Sequence, residues 1–218
     1  MNFLGKLRAV WRRSSSINAK MNKIVGHTLD GHDNGTYMYE PGDKALPLCP
    51  RCGYRLNFFP TNPDYALKKR FKPLTGQSVV SKETALSCTY DHQTIVSQGF
   101  KDFCLQQGYE GLNFIEFPKD PWHFHLIITN QVKFDSARNQ PRFLEMCPTC
   151  GNYDGVITSG HALLELTEPL VDGFYRTDLL FGSGDRKNPL IVVGTGTKSK
   201  LKAMNFKGLI FEPAYGLD

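Results

Sequence analysis

Cys49-Pro50-Arg51-Cys52-Gly53 and Cys147-Pro148-Thr149-Cys150-Gly151 repeat one pattern, Cys-Pro-x-Cys-Gly, at two distant places in the chain. The Cys-x-x-Cys spacing lets two thiolates converge on one ion. The glycine that follows can turn the backbone back beneath the ion, so that amide N–H groups point at sulfur. Two such knuckles supply the four sulfurs of a closed tetrahedral structural zinc site, with Zn–S distances of about 2.3 Å. Short zinc ribbons separate their knuckles by roughly 15–20 residues, whereas about ninety lie between Cys52 and Cys147. A shared ion would therefore close a domain-sized stretch and tie residue 49 to residue 150. Two independent redox pairs are the competing reading, and adventitious cysteines a third. A thioredoxin-like pair follows a strand and opens a helix. Here Pro47-Leu48 precedes the first knuckle, and a polar-aromatic loop from Tyr54 to Pro63 follows it. The pattern favours one structural zinc ion held by Cys49, Cys52, Cys147 and Cys150.

The chain has 218 residues, 40% of them hydrophobic, which suits one large domain or one domain with a small appendage. It holds no apolar run long enough to span a bilayer and no secretory core, since Lys6 and Arg8 interrupt the first apolar residues. Six cysteines, four of them in knuckles, indicate a reducing, cytoplasmic compartment. Cys88 and Cys104 sit among apolar and aromatic neighbours and read as small buried hydrophobes rather than a disulfide. The net charge of +5 is local: residues 1–29 carry Lys6, Arg8, Arg12, Arg13, Lys20 and Lys23 and no acid, so the rest is near neutral. This basic segment also holds Phe3, Leu4, Leu7, Val10 and Trp11 at helical spacing. Such a helix could rest on a membrane surface, RNA or an acidic partner; a packed or frayed terminal helix is the plainer reading. A single domain is expected over 30–218.

Gly26 to Asp43 is rich in Gly, Asp, Asn and His and reads as loop or irregular strand, with His27, Asp30, His32 and Asp33 as solvated loop residues. Thr94 to Ser97 predicts a strand ending in a helix N-cap. A helix over 98–107 follows, closed by Gly108, then a strand over 111–118 ending at proline. The order returns near the end: a strand at Leu190–Val193, a turn at Gly194-Thr195-Gly196, a basic helix over 197–205 with Leu201 and Met204 inward, and a strand from Gly208 ending at Pro213. Gly-Leu-x-Phe thus occurs at 111 and again at 208. Between the copies, Trp122–Thr129, Val156–Leu166 and Gly173–Phe181 read as strands. The expected class is α+β, a mixed sheet with a few short helices and two β-α-β-like units.

Catalytic patterns find little support. Gly194-Thr195-Gly196 lacks the remaining residues of a dinucleotide or P-loop fingerprint and reads as a plain turn. His123 and His125 share a strand face; with His161 they could serve an open metal site, but satisfied sheet histidines are favoured. No nucleophile elbow occurs, so no enzymatic activity is expected.

The two knuckles, at 49–53 and 147–151, resemble those of the double-CxxCG-motif proteins, counted among the immunity proteins of bacterial polymorphic and contact-dependent toxin systems. The strand–helix–strand ending from Leu190 to Pro213 is also similar to that group. The resemblance covers about residues 45 to 215; the basic start lies outside it. It implies a non-enzymatic antidote that binds a cognate protein toxin in the cytoplasm, with Cys49, Cys52, Cys147 and Cys150 as ligands of one structural zinc and no small-molecule substrate. An exposed aromatic patch should then mark the interface, with Phe58, Phe59, Trp122 and Tyr153 as candidates. The alternative is a zinc-structured nucleic-acid-binding protein using the Arg12-Arg13 and Lys68-Lys69-Arg70 runs. The near-neutral body weighs against it, because such affinity rests on phosphate neutralisation.

Overall fold

Ser97 ends its strand with the chain extended, and its side-chain oxygen accepts the Phe100 N–H, which starts the expected helix. The helix buries Phe100, Phe103 and Cys104 on one side, and Gly108 takes the left-handed position beyond its end at φ +67°. The computed structural model describes residues 23–40, 43, 46–67 and 84–217. In this first unit β3 (Thr94–Ser97) leads through α1 (Gln98–Gln106) to β4 (Leu112–Phe117). A second unit repeats it: β11 (Asn188–Val193), α3 (Thr195–Ala203) and β12 (Leu209–Tyr215). Asn205 at φ +52° stands in for Gly108, and Gly208 at φ +88° for Gly111 at φ +74°.

The strand registers show that the units are copies. β5 (Asp120–Ile128) lies antiparallel between β3 and β4, and β1 (Ile24–Asp33) lies antiparallel between β11 and β12. Ile95 faces His125 as Val192 faces Thr28. Leu112 faces Ile128 as Leu209 faces Gly31, and Phe114 faces Leu126 as Phe211 faces Leu29. β3 and β4 map onto β11 and β12 by one forward shift along the chain, and β5 maps onto β1 by a backward shift of the same size. Outside them, β2 (Leu86–Cys88) flanks β3 as β10 (Phe174–Ser183) flanks β11.

The two units differ in how the middle strand arrives. β5 follows β4 through Pro118-Lys119, but β1 comes from the other end of the chain, and the Gly216 N–H donates to the Lys23 carbonyl at 2.9 Å. The second unit is therefore completed by the first described strand of the protein. Short strands extend the sheet: β6 (Gln131–Val132), β7 (Arg142–Phe143), β8 (Gly155–Ile157) and β9 (Ala162–Leu163), with a helical turn α2 at Ser136–Asn139. Among the described residues this makes a mixed α+β fold with a 12-stranded sheet, ordered β4-β5-β3-β2-β1-β11-β10-β8-β7 along its main path.

Alternation along β5 divides its side chains. Phe124, Leu126 and Ile128 join Phe100, Phe103, Cys104, Val193 and Leu201 in the largest core cluster, under the helices. His123 and His125 point to the other face, where Ile95 packs with Met38, Tyr65 and Phe117. A further cluster gathers Val25, Phe134, Leu164, Val192 and Ala214.

Several expectations need correction. The Gly/Asp/His-rich stretch, expected as loop or irregular strand, is over Ile24–Asp33 a central strand with a register irregularity between Ile24 and Gly26, and the expected boundary between 29 and 30 falls inside β1. Its glycines permit close strand packing: a Cβ on Gly31 would lie 2.8 Å from the Leu86 carbonyl oxygen and 2.9 Å from Ser87 Cα. The strand expected over 156–166 is split into β8 and β9, with Gly160 at φ +79° between them. α3 starts earlier than expected, at Thr195, and Met204 is 51% exposed beyond its end; Phe206 packs against the core instead. β12 runs through Pro213 to Tyr215, since pairing with β1 continues past the proline. Cys104 is buried as expected, whereas Cys88 is half-buried beside the Asp30 carboxylate; both are free thiols. Most of the basic N-terminal segment, with its expected helix, and the Lys68-Lys69-Arg70 run lie outside the described residues. Among the described residues no helix is long and apolar enough to cross a membrane.

Candidate metal centre

Each knuckle is a small hairpin. Leu48 bridges Arg55 across the first, and Met146 bridges Tyr153 across the second. The Cys49 N–H donates to the Tyr54 carbonyl and the Gly53 N–H to the Cys49 carbonyl; Cys147, Asn152 and Gly151 repeat both bonds. Gly53 and Gly151 sit at φ +70° and +72°. A Cβ would meet nothing within 4 Å at either position. Conformation rather than crowding therefore calls for glycine there.

The knuckles face each other. Cys49 Sγ lies 3.9 Å from Cys147 Sγ, and Cys52 Sγ lies 3.7 Å from Cys150 Sγ, each pair spanning 98 positions of sequence. All four sulfurs fall within 4.8 Å of one another. Cys49 and Cys147 are buried with Tyr54, while Cys52 is on the exposed side. The four expected ligands are thus brought together, one pair from each knuckle.

The electrostatics suit a cation. Backbone N–H groups of Cys52 and Arg51 lower the Cys49 pKa, and those of Cys150 and Thr149 bring Cys147 down to about 6. At Cys52 the Tyr54 N–H also pulls downward. Desolvation and the neighbouring sulfurs outweigh it and push the thiol up to about 12. Four thiolates cannot share this space without a positive ion among them, and a four-coordinate divalent metal supplies that charge. The donor set therefore fits a metal ion bound by Cys49, Cys52, Cys147 and Cys150. A metal held there fastens segments from both parts of the chain.

The knuckle segments are anchored from outside. Arg55, buried at the base of the first, pairs with buried Asp91 at 3.1 Å. Asp91 also accepts the Met38 and Tyr39 N–H groups. Neither residue was singled out by the sequence, where a lone Arg and a lone Asp carry no signal.

The histidines behave differently. His123 Nδ1 lies 2.9 Å from the Asp120 carboxylate, His125 Nδ1 lies 2.7 Å from Thr61 Oγ1, and the His161 ring packs on Tyr215. Among the described residues the four cysteines form the one group of three or more potential ligands close enough to share an ion. Burial lowers the His125 pKa to about 4. Its folded value then lies below the unfolded value of about 6.5, so the neutral ring contributes stability that is fully present above pH 6.5. That contribution, on the order of 3 kcal/mol, is lost as pH falls through 6.5 toward 4. His125→Asn should flatten the pH dependence of the urea midpoint across this window relative to the parent; parallel curves would contradict it.

At the start of α3, Asp172 packs against Gly196 and pairs with Lys200 at 3.0 Å. Its negative charge lies against the first turn of the helix, where the macrodipole favours an anion.

Beside the cysteines runs a groove of about 340 Å³ lined by Phe58, Phe59, Phe143, Tyr153 and Val156, with Arg176, Asp178 and Lys187 as its charged residues. Three of the four candidate patch aromatics meet here. Trp122, 60% exposed, does not line it. Phe143, which the sequence reading passed over, stacks on Tyr153 with ring centres 4.8 Å apart. Leu48, Leu56, Met146 and Ile157 are further exposed apolar side chains on the knuckle-bearing segments.

No protein-family model, curated protein or solved structure matches the chain.

Proposed function

We propose that this chain is a non-enzymatic, cytoplasmic immunity protein that binds and neutralises a cognate protein toxin, with one structural zinc ion on its four cysteines. The resemblance of the two knuckles to the double-CxxCG immunity proteins supports the reading. The observation that carries it is the aromatic groove beside the cysteine centre, rimmed by Phe58 at 37% exposure and Phe143 at 41%. Apolar exposure of this kind, gathered along one groove, suits a protein partner. Rigid support from the metal would hold the groove in shape before the partner arrives, which lowers the ordering cost of association. Four thiolates favour zinc among the common divalent ions, and elemental analysis of purified protein identifies the ion.

The nucleic-acid reading gains less. Lys23, Lys101, Lys119, Lys133, Arg138 and Lys200 each lie within ion-pair distance of a carboxylate, so a phosphate backbone would have to compete for them.

The test uses the variable C-terminal domain of a large secreted protein encoded next to this chain. Purified protein should bind that domain and protect cells that express it. Phe58→Ala combined with Phe143→Ala should weaken binding by about tenfold or more, with metal content unchanged. Failure to bind the domain, or undiminished binding by the double variant, would count against the proposal.

A further inference from the structure

Lys187 is a buried cation that packs on the cysteine cluster. It lies immediately before β11 and is 6% exposed, although lysine is almost never buried without a charged partner. Its Nζ sits 4.1 Å from the centre of the Tyr54 ring. Tyr54 packs in one cluster with Cys49, Cys147 and Cys150, and its carbonyl receives the Cys49 N–H. Among the described residues no carboxylate lies within ion-pair distance of Lys187. Burial lowers the Lys187 pKa, and the charges of Asp154, Cys150 and Cys52 work against that lowering. Arg55, the other buried cation in this region, is already held by Asp91.

We propose that Lys187 is the built-in counter-charge of the four-cysteine centre. The inference rests on the metal reading above. A divalent ion on four thiolates keeps a net double negative charge, which is costly where water is partly excluded. An ammonium held against the same aromatic ring offsets part of it. Two effects follow from one charge: the negatively charged metal centre is less costly to form, so the metal is held more tightly, and the bound sulfurs are weaker nucleophiles. The Tyr54 face steadies the ammonium through a cation–π contact, so that it stays beside the sulfurs rather than reaching solvent.

Cobalt(II) titration, read by its thiolate charge-transfer absorption and by competition with a chelator, tests this. Lys187→Met keeps an unbranched apolar stem over Tyr54 and removes only the charge; it should bind cobalt about tenfold more weakly. Lys187→Arg should stay within about threefold of the parent. Iodoacetamide should alkylate Cys52 faster in the metal-loaded Lys187→Met protein than in the parent. Equal cobalt affinity in the parent and Lys187→Met would overturn the inference, and so would an equal loss in Lys187→Arg and Lys187→Met, which would indicate packing instead of charge. Asp154→Asn gives a surface test that does not depend on Lys187→Met folding. Removing the Asp154 charge, which acts on Lys187 without pairing with it, should tighten cobalt binding by about threefold, and no change or weakening would go against the proposal. A parent protein that binds no cobalt would sink the metal reading itself, which separates the two failures.

Discussion

Replacing Cys147 with serine is expected to abolish stoichiometric metal binding and to lower the melting temperature more than any other single change at the centre. Cys147 is buried, and its sulfur lies 3.9 Å from Cys49 in the opposite knuckle. Two backbone N–H groups already favour its thiolate, so it is among the best-prepared donors of the four. Serine keeps the size but gives a harder, far less acidic donor. In small zinc peptides the metal accounts for roughly 10–16 kcal/mol of apparent binding free energy, nearly all of it expressed as folding. This protein has large core clusters of its own, so only part of that is expected here. A fall in melting temperature of about 10 °C or more is expected, because at this chain length each kcal/mol moves the midpoint by roughly 2–4 °C. Chelator treatment of the parent should reproduce the shift. Cys88→Ala, which alters a cysteine outside the centre, should leave metal stoichiometry unchanged. A Cys147→Ser protein that melts with the parent would remove the structural role of the ion.

Asp91→Ala should be nearly as damaging without touching a sulfur. Asp91 is 2% exposed and accepts three hydrogen bonds, from the Met38 and Tyr39 N–H groups and from Arg55. Truncation deprives buried Arg55 of its carboxylate and strips two amides of their acceptor. Breaking a buried ion pair from one side typically costs about 3–5 kcal/mol. Arg55 also closes the bridge opposite Leu48 at the base of the first knuckle, so metal affinity should drop together with stability. Circular dichroism melts and a cobalt titration on the same sample would show both changes. The double variant Arg55→Met, Asp91→Leu should be less destabilised than Asp91→Ala, since no buried charge is then stranded. Equal losses in the two proteins would mean that the ion pair is not the cause.

These effects meet at one small region, and its parts differed in how readable they were. The cysteines were legible because metal geometry imposes its own spacing on the chain: Cys-x-x-Cys followed by glycine is a local constraint, and both glycines do adopt positive φ. α1 was legible for the same reason, since its cap, apolar face and closing glycine lie within one short stretch. Local chemistry misled where a tertiary partner overrode it. Ile24–Asp33 carries glycine, aspartate and histidine as a loop would, yet it is a central strand because β11 and β12 pair with it on both sides. Pro213 looked like a strand end and is not, since β1 sets where β12 stops. Arg55, Asp91, Phe143 and Lys187 left no mark in the sequence, because each matters only through a neighbour that is distant along the chain.

The sequence by itself determined the two matched cysteine knuckles, the two strand–helix–strand units and the likeness of their Gly-Leu-x-Phe segments, since spacing, capping and turn chemistry act over a few residues. Tertiary structure alone decided that the first strand completes the second unit, that the knuckles meet sulfur to sulfur, and that a buried lysine and an aromatic groove lie against them. Strand register and side-chain burial are properties of surfaces that must fit together. They are settled by packing between segments far apart in the chain, which no local pattern encodes.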